Sequence, residues 1–343
     1  MKRLLTVATL LVVGLTIAFM AGPVVHFDPV TPRPVALNPD LPAMERELAL
    51  VEQRANLRPD NAARIVWADS SRKQKTPYSL VYIPGFSASW AEGDPVHRQL
   101  ARRFGCNLYL ARTYGHGVNS PDALRDMTPD RFANSAERAL AIGKALGDTV
   151  VVIGTSAGGM LTLYLATHHP EIKGLVLYSP CIAVANPALK LATGHWGQQL
   201  IERVFPNQHV EVTTYKPDRA RYWLTSYHTN GLLTLQTMLE TWMTPEQFGR
   251  IRQPVFMGYY YKDEDHQDKV VSVPAMLTMF DQLGTPAALK QKQAFPQAGE
   301  HVIASHFTSG DLAGVYTATA RFMEQVLLMP VTSGSPHPAA AVR

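Results

Sequence analysis

A serine flanked by glycines two residues to either side, set between a β-branched run and an apolar helix, constrains this chain more than any other feature. Residues 150–153 form a short unbroken apolar run bounded by Gly154, the pattern of a strand buried on both faces. After Ser156, Met160, Leu161, Leu163, Tyr164 and Leu165 continue as an apolar helix running towards Pro170. Between them lies Gly154-Thr155-Ser156-Ala157-Gly158, a match to G-x-S-x-G. A serine on so sharp a turn takes a strained backbone conformation that lifts its Oγ clear of the sheet. The residues two before and two after it must then be small. The helix that starts at once offers free N–H groups and a positive dipole end to a developing oxyanion. Roughly 0.1 chance matches to the bare motif are expected in a chain of this length, so its setting between strand and helix is what gives it meaning.

Strand and helix patterns alternate on both sides of this turn. Upstream, residues 65–68 and 79–83 read as strands, 95–104 as a helix, 107–111 as a strand and 128–146 as a helix with Pro129 at its first position. Downstream, 174–178 reads as a strand. The rhythm then breaks over residues 181–252, where no strong strand is found but apolar helical segments span 189–205 and 232–248, with Trp196, Trp223, Met238, Trp242 and Met243 among them. It resumes with a strand at 254–260, a helix at 273–283, a strand at 290–295 and a last helix at 312–328. This order predicts an α/β fold with a doubly wound, mostly parallel sheet over 59–180 and 253–329, a helical cap insertion at 181–252, and a Pro/Ser/Ala-rich disordered tail at 330–343.

Ahead of the sheet, Met1-Lys2-Arg3 precedes an uncharged apolar run to Met20. A basic start before such a run marks a secretory signal or an uncleaved anchor. Phe19 and Met20 stand where a small-x-small cleavage site belongs, which favours a signal anchor over residues 1–22, with the body outside the cytoplasm; a cleaved signal leaving a periplasmic or secreted protein is the alternative. Residues 23–58 read as a Pro-rich extended linker followed by a short helix at 41–54. The formal net charge of +4 comes with no dense Lys/Arg run, so no nucleic-acid partner is implied. Cys106 and Cys181 either pair or serve as two buried small hydrophobes. There is no H-E-x-x-H, no Cys/His ligand cluster and no dinucleotide fingerprint, so neither metal nor cofactor is expected.

A serine alcohol needs a base, and the base needs an orienting acid. In this topology both belong on loops after later strands, in the order serine, acid, histidine. His301, in Gly299-Glu300-His301 just past the 290–295 strand, is preferred to His306, which falls farther towards the last helix. The loop after the 254–260 strand carries Asp263, Glu264, Asp265 and Asp268. Asp268 is preferred because Val270-Val271 would tuck into the core and hold it at the rim, with Asp263 next.

Together these residues resemble the α/β-hydrolase superfamily, and more closely its monoacylglycerol-lipase and serine-aminopeptidase-like (lysophospholipase-like) branch. The likeness rests on Pro84-Gly85-Phe86, Gly115-His116-Gly117, the serine turn, Asp268-Lys269-Val270 and Gly299-Glu300-His301. It implies catalytic Ser156, Asp268 and His301, an oxyanion hole from the N–H groups of Phe86 and Ala157, and a structural role for Gly115-His116-Gly117. Pro84 stands where the family usually has histidine, and the acid loop is longer than usual. The expected activity is hydrolysis of carboxylic esters, lipid-like ones included. An aminopeptidase would need cap carboxylates to hold an ammonium, for which Glu202, Glu211, Asp218, Glu240 and Glu246 are available. An acyltransferase with the same triad, or a catalytically silent binding protein of this fold, are the remaining alternatives.

Overall fold

The computed structural model describes residues 2–332, so residues 333–343 of the expected tail lie outside the described residues. Helices α1 (Lys2–Met20) and α2 (Leu41–Arg54) precede the sheet. Helix α2 starts where the Asp40 carboxylate accepts from Ala43 N, with Pro42 in the first turn. The chain continues through β1 (Arg64–Val66), β2 (Thr76–Ile83), α3 (Val96–Arg103), β3 (Asn107–Leu110), α4 (Pro129–Leu146), β4 (Gly147–Thr155), α5 (Ala157–His168) and β5 (Gly174–Tyr178). An excursion follows: α6 (Gly197–Val204), β6 (His209–Glu211), α7 (Pro217–Ala220), β7 (Ser226–His228), α8 (Asn230–Trp242) and α9 (Pro245–Arg250). Strand β8 (Val255–Tyr259), α10 (Val273–Gln282), β9 (Lys290–Ala294) and α11 (Leu312–Gln325) complete the core.

Seven strands form one sheet in the order β1-β3-β2-β4-β5-β8-β9. Only β1 runs antiparallel to its neighbour. Successive side chains on a strand face opposite ways, and the core divides accordingly. Val81, Val150, Val152, Leu175 and Leu177 pack with α4 and α5 on one face, while Leu80, Tyr82, Val151, Ile153 and Val176 pack with α3 and α11 on the other. The unbroken apolar run at 150–153 thus has its cause in burial on both faces.

The cap departs from the sequence reading in three ways. The expected helix over 232–248 ends at Trp242 and restarts as α9 at Pro245, with Thr244 in extended conformation as its N-cap. The expected helix over 189–205 is split into a 3₁₀ turn, Pro187–Ala192, and α6, because Trp196 takes φ 61° between them. A Cβ on Gly197 would come 2.1 Å from Ala192 O, so only glycine permits this close return. A two-stranded antiparallel ribbon, β6 with β7, also lies within the cap. Its three-residue strands are too short for alternation to show in sequence.

The linker is extended but not free. Thr31 N and the Arg33 guanidinium bind the Asp130 carboxylate on α4 at 3.0 and 2.6 Å, and Trp196 N donates to Pro23 O at 2.8 Å. Residues 330–332 likewise run along the body, Thr332 N donating to Arg103 O at 3.0 Å. Among the described residues no helix is long and apolar enough to cross a membrane, and the expected span is therefore not confirmed. Helix α1 nevertheless keeps apolar side chains such as Leu10, Leu11, Leu15 and Ile17 exposed. Cys106 and Cys181 are free and buried, and burial pushes both thiols up to about 12.

The turn between β4 and α5 is closed by two glycines. A Cβ on Gly154 would meet Gly158 O at 2.4 Å, and one on Gly158 would meet Ile83 O at 2.0 Å. Gly158→Ala must therefore push α5 away from the end of β2, and is expected to cost about 2–3 kcal/mol, measured as a lowered melting temperature beside the wild type.

Candidate active site

Ser156 stands between β4 and α5 with φ 55° and ψ −118°, a positive φ that an L residue holds only under strain. Its backbone is pinned from β5 and the loop after it: Ser156 N donates to Tyr178 O at 2.9 Å, and Ser156 O accepts from Cys181 N at 2.9 Å. Met160 N also donates to Ser156 O, opening the hydrogen-bond ladder of α5. Because Gly158 lies against Ile83 O and Pro84 O, the first turn of α5 abuts the segment that leaves β2. Among the described residues no acceptor takes the N–H of Phe86 or Ala157, so both amides at this edge have unused donors.

The loop after β8 and the loop after β9 meet beside this turn. Asp268 Oδ2 and His301 Nδ1 are 2.6 Å apart. The second carboxylate oxygen, Asp268 Oδ1, accepts from Val270 N at 2.8 Å and Val271 N at 3.0 Å. Ser179 Oγ donates to His301 O at 2.8 Å, tying the histidine loop to the end of β5. The Asp268 side chain is 0% exposed and the imidazole 7%. Burial alone would lower the basicity of His301; the Asp268 charge and hydrogen bond, with Glu92 and Glu300, outweigh it and raise its pKa above the ordinary 6.5. No hydrogen bond joins Ser156 Oγ to the imidazole, a contact that often tightens only with substrate in place.

The competing residues fall elsewhere. His306 is half-exposed, stacks on Phe307 and bonds Asp94 O through Nδ1. Asp263 is exposed and turned back on its own loop, with His266 Nδ1 at 2.7 Å. Of the two valines expected to tuck in beside Asp268, only Val271 is buried; Val270 is 53% exposed and contributes through its N–H. His116 is buried, stacked on Phe132 and bonded to Tyr114 O, and burial pushes it down to about 4, so it stays neutral. The Phe86 ring meets His116 and the cap residue Tyr227 edge-on. Of the cap carboxylates, Glu211, Asp218, Glu240 and Glu246 are exposed, and Glu202 is bonded to Gln198.

Two groups near the site were not anticipated. Arg219 on α7 pairs with Glu300, next to His301, and its guanidinium lies over Tyr215 and Trp223. Glu92 is 2% exposed, with its carboxylate on Gly85 N. The sequence signal for Glu92 was faint: a single acid directly after Phe86-Ser87-Ala88-Ser89-Trp90-Ala91, small and aromatic residues that mark a buried segment.

A family model described as "Alpha/beta hydrolase family" matches residues 80–315. The chain belongs to that family. It is 30% identical over 190 residues to a thermostable monoacylglycerol lipase of Bacillus sp. (strain H-257), covering 55% of this chain and 71% of the relative. This places it in the monoacylglycerol-lipase-like branch, among lipase/esterase-type hydrolases. Its fold is shared with a solved structure from a study of the metagenome-derived lipolytic enzymes LipS and LipT, at TM-score 0.63 and 15% identity over 78% of this chain and 99% of the other. A soluble variant of the Saccharomyces cerevisiae monoglyceride lipase gives 0.58 and 15% over 77% and 91%.

The contrast between the two loop acids is directly measurable in this α/β hydrolase. Asp268→Asn removes the charge that most raises His301, so the imidazole pKa read by NMR titration should fall clearly, whereas Asp263→Asn should leave it in place.

Proposed function

We propose that the chain is a serine hydrolase that cleaves carboxylic esters through an acyl-enzyme. The observation that supports this most is the buried Asp268–His301 pair set at the sheet edge where Ser156 is held at positive φ. Ser156 Oγ attacks the acyl carbonyl while His301 Nε2 takes its proton, and the oxyanion is received by Phe86 N–H and Ala157 N–H. Collapse of the tetrahedral species expels the alcohol, which takes the proton from the imidazolium. Water, deprotonated by His301, then releases the acid and restores the serine. Asp268 accepts from Nδ1–H throughout, fixing the tautomer and stabilising the imidazolium. This chemistry requires no metal or cofactor.

An acylglycerol or lysophospholipid-like ester is the proposed substrate class. The Bacillus relative supports it. The aminopeptidase reading differs in needing one of the cap carboxylates to hold the substrate's ammonium. An acyltransferase differs only in the acceptor that resolves the acyl-enzyme.

Ser156→Ala should abolish fluorophosphonate labelling and lower kcat by ~10⁴ or more on p-nitrophenyl esters of graded chain length, with the melting temperature unchanged. A variant retaining a tenth of the activity would refute the assignment. Monoacylglycerol, lysophospholipid and aminoacyl anilides, assayed alongside, rank the substrate classes.

For location we keep to the reading of Lys2-Arg3 before the apolar run: an anchored enzyme with its body outside the cytoplasm. Fractionation with intact-mass analysis should find residues 1–22 retained and the protein with membranes after a high-salt wash. A soluble form starting near Gly22 would replace the anchor by a cleaved signal.

A further inference from the structure

The cleft holds a second buried carboxyl that the reaction above leaves unused. Glu92 lies on the 3₁₀ turn Trp90–Gly93, between the segment leaving β2 and α3. Its Oε2 accepts from Gly85 N at 2.5 Å and from Tyr82 Oη at 3.1 Å. Tyr82 Oη is also 3.1 Å from Thr155 Oγ1, on the residue before the nucleophile. A Cβ on Gly85 would fall 2.7 Å from Glu92 Oε1 and 3.0 Å from Ser156 Cβ. The carboxyl and the nucleophile are thus neighbours across a residue with no side chain to separate them. Burying a carboxyl costs several kcal/mol unless its partners compensate, and here those partners are the oxyanion turn, the tyrosine under the elbow and the charges of the site.

Resting on the serine-hydrolase reading, we propose that Glu92 is a positioning residue with two effects. Through Gly85 N–H it holds the turn that presents Phe86 N–H to the oxyanion, and its charge stands as a second carboxylate against the His301 imidazolium that forms during each half-reaction.

The electrostatic setting agrees with the geometry. His301 faces Asp268 from the loop after β8, Glu92 from the oxyanion side and Glu300 from its own loop, all three raising its pKa against burial. Glu92 faces Tyr82 from β2, His301, and Arg219 from α7, and Tyr215 lies within its field. Burial raises Glu92 to about 7, offset by the Gly85 N–H, His301, Tyr82 and Arg219. Each charge acts on the other group, so the acid limb of kcat/KM reports the pair. Activity needs a neutral imidazole, so the limb rises with pH. Negative charge on Glu92 favours the imidazolium; removing it moves the limb to lower pH.

Charge and hydrogen bond can be separated by two conservative variants. Glu92→Gln keeps an acceptor oxygen for Gly85 N–H and loses the charge: its acid limb should move to lower pH by about half a unit or more, with kcat reduced less than tenfold. Glu92→Asp keeps the charge and draws the carboxylate away from Gly85: its kcat should fall by about tenfold, the worth of one charged hydrogen bond, with the limb near its wild-type position and KM within about threefold. A purely structural glutamate would give falls in kcat without this separation of the limbs. An unmoved limb in Glu92→Gln, or wild-type kcat in Glu92→Asp, overturns the proposal. Fluorophosphonate labelling of the wild type, lost in Ser156→Ala, tests the underlying reading separately. A wild type that neither labels nor hydrolyses removes that reading, and the role of Glu92 with it.

Discussion

A positive φ at Ser156 costs of order 1–3 kcal/mol and persists only where its surroundings over-determine it. Tyr178 O clamps the residue from β5, Cys181 N from the loop that follows it, Met160 N from α5, and the two glycines let β2, β4 and α5 close to within backbone contact. Each clamp draws on a different element, so the site's geometry depends on the whole centre of the sheet being in register. The parallel ladder β2-β4-β5 is the buried middle of that sheet, the part least able to yield.

Around this point the fold gathers buried charge, and it does so in matched sets. Asp268 has two backbone N–H donors on one oxygen and the imidazole on the other. Glu92 has a backbone N–H and a tyrosine. An acid left unpaired in this environment would take up a proton rather than stay charged. The pairing sets Asp268 directly against His301, while burial raises Glu92 to about 7.

Much of this architecture was legible from the residues. The elbow, the alternation of strands and helices, and the preference for His301 over His306 follow from period, spacing and chain order, and the structure brings Asp268 and His301 together. What escaped notice has physical reasons. Glu92 is meaningful only through Gly85 and Tyr82, partners brought to it by the turn rather than by spacing. The cap ribbon is shorter than any detectable period. Trp196, in a left-handed conformation, breaks a helix whose apolar pattern is continuous. The linker looked free because proline-rich composition reports a lack of periodicity, and not the hydrogen bonds Thr31 and Arg33 make to α4.

The cap is stitched to the segment that leaves β2. Leu224 N donates to Ser87 O at 2.8 Å and Ser89 N to Tyr222 O at 2.9 Å, forming a bridge at Ala88 and Trp223. The stitch is backed from outside by Arg58, which bonds the carbonyls of Ala220 and Trp223, and by Asn61 Nδ2 on Arg221 O at 2.9 Å. Both buttresses lie upstream of residue 80, where the family match begins. A fragment trimmed to that match would keep Ser156, Asp268 and His301 yet lose the supports behind the cap and the β1 edge of the sheet. The cap is thus braced by a segment that its family match leaves out.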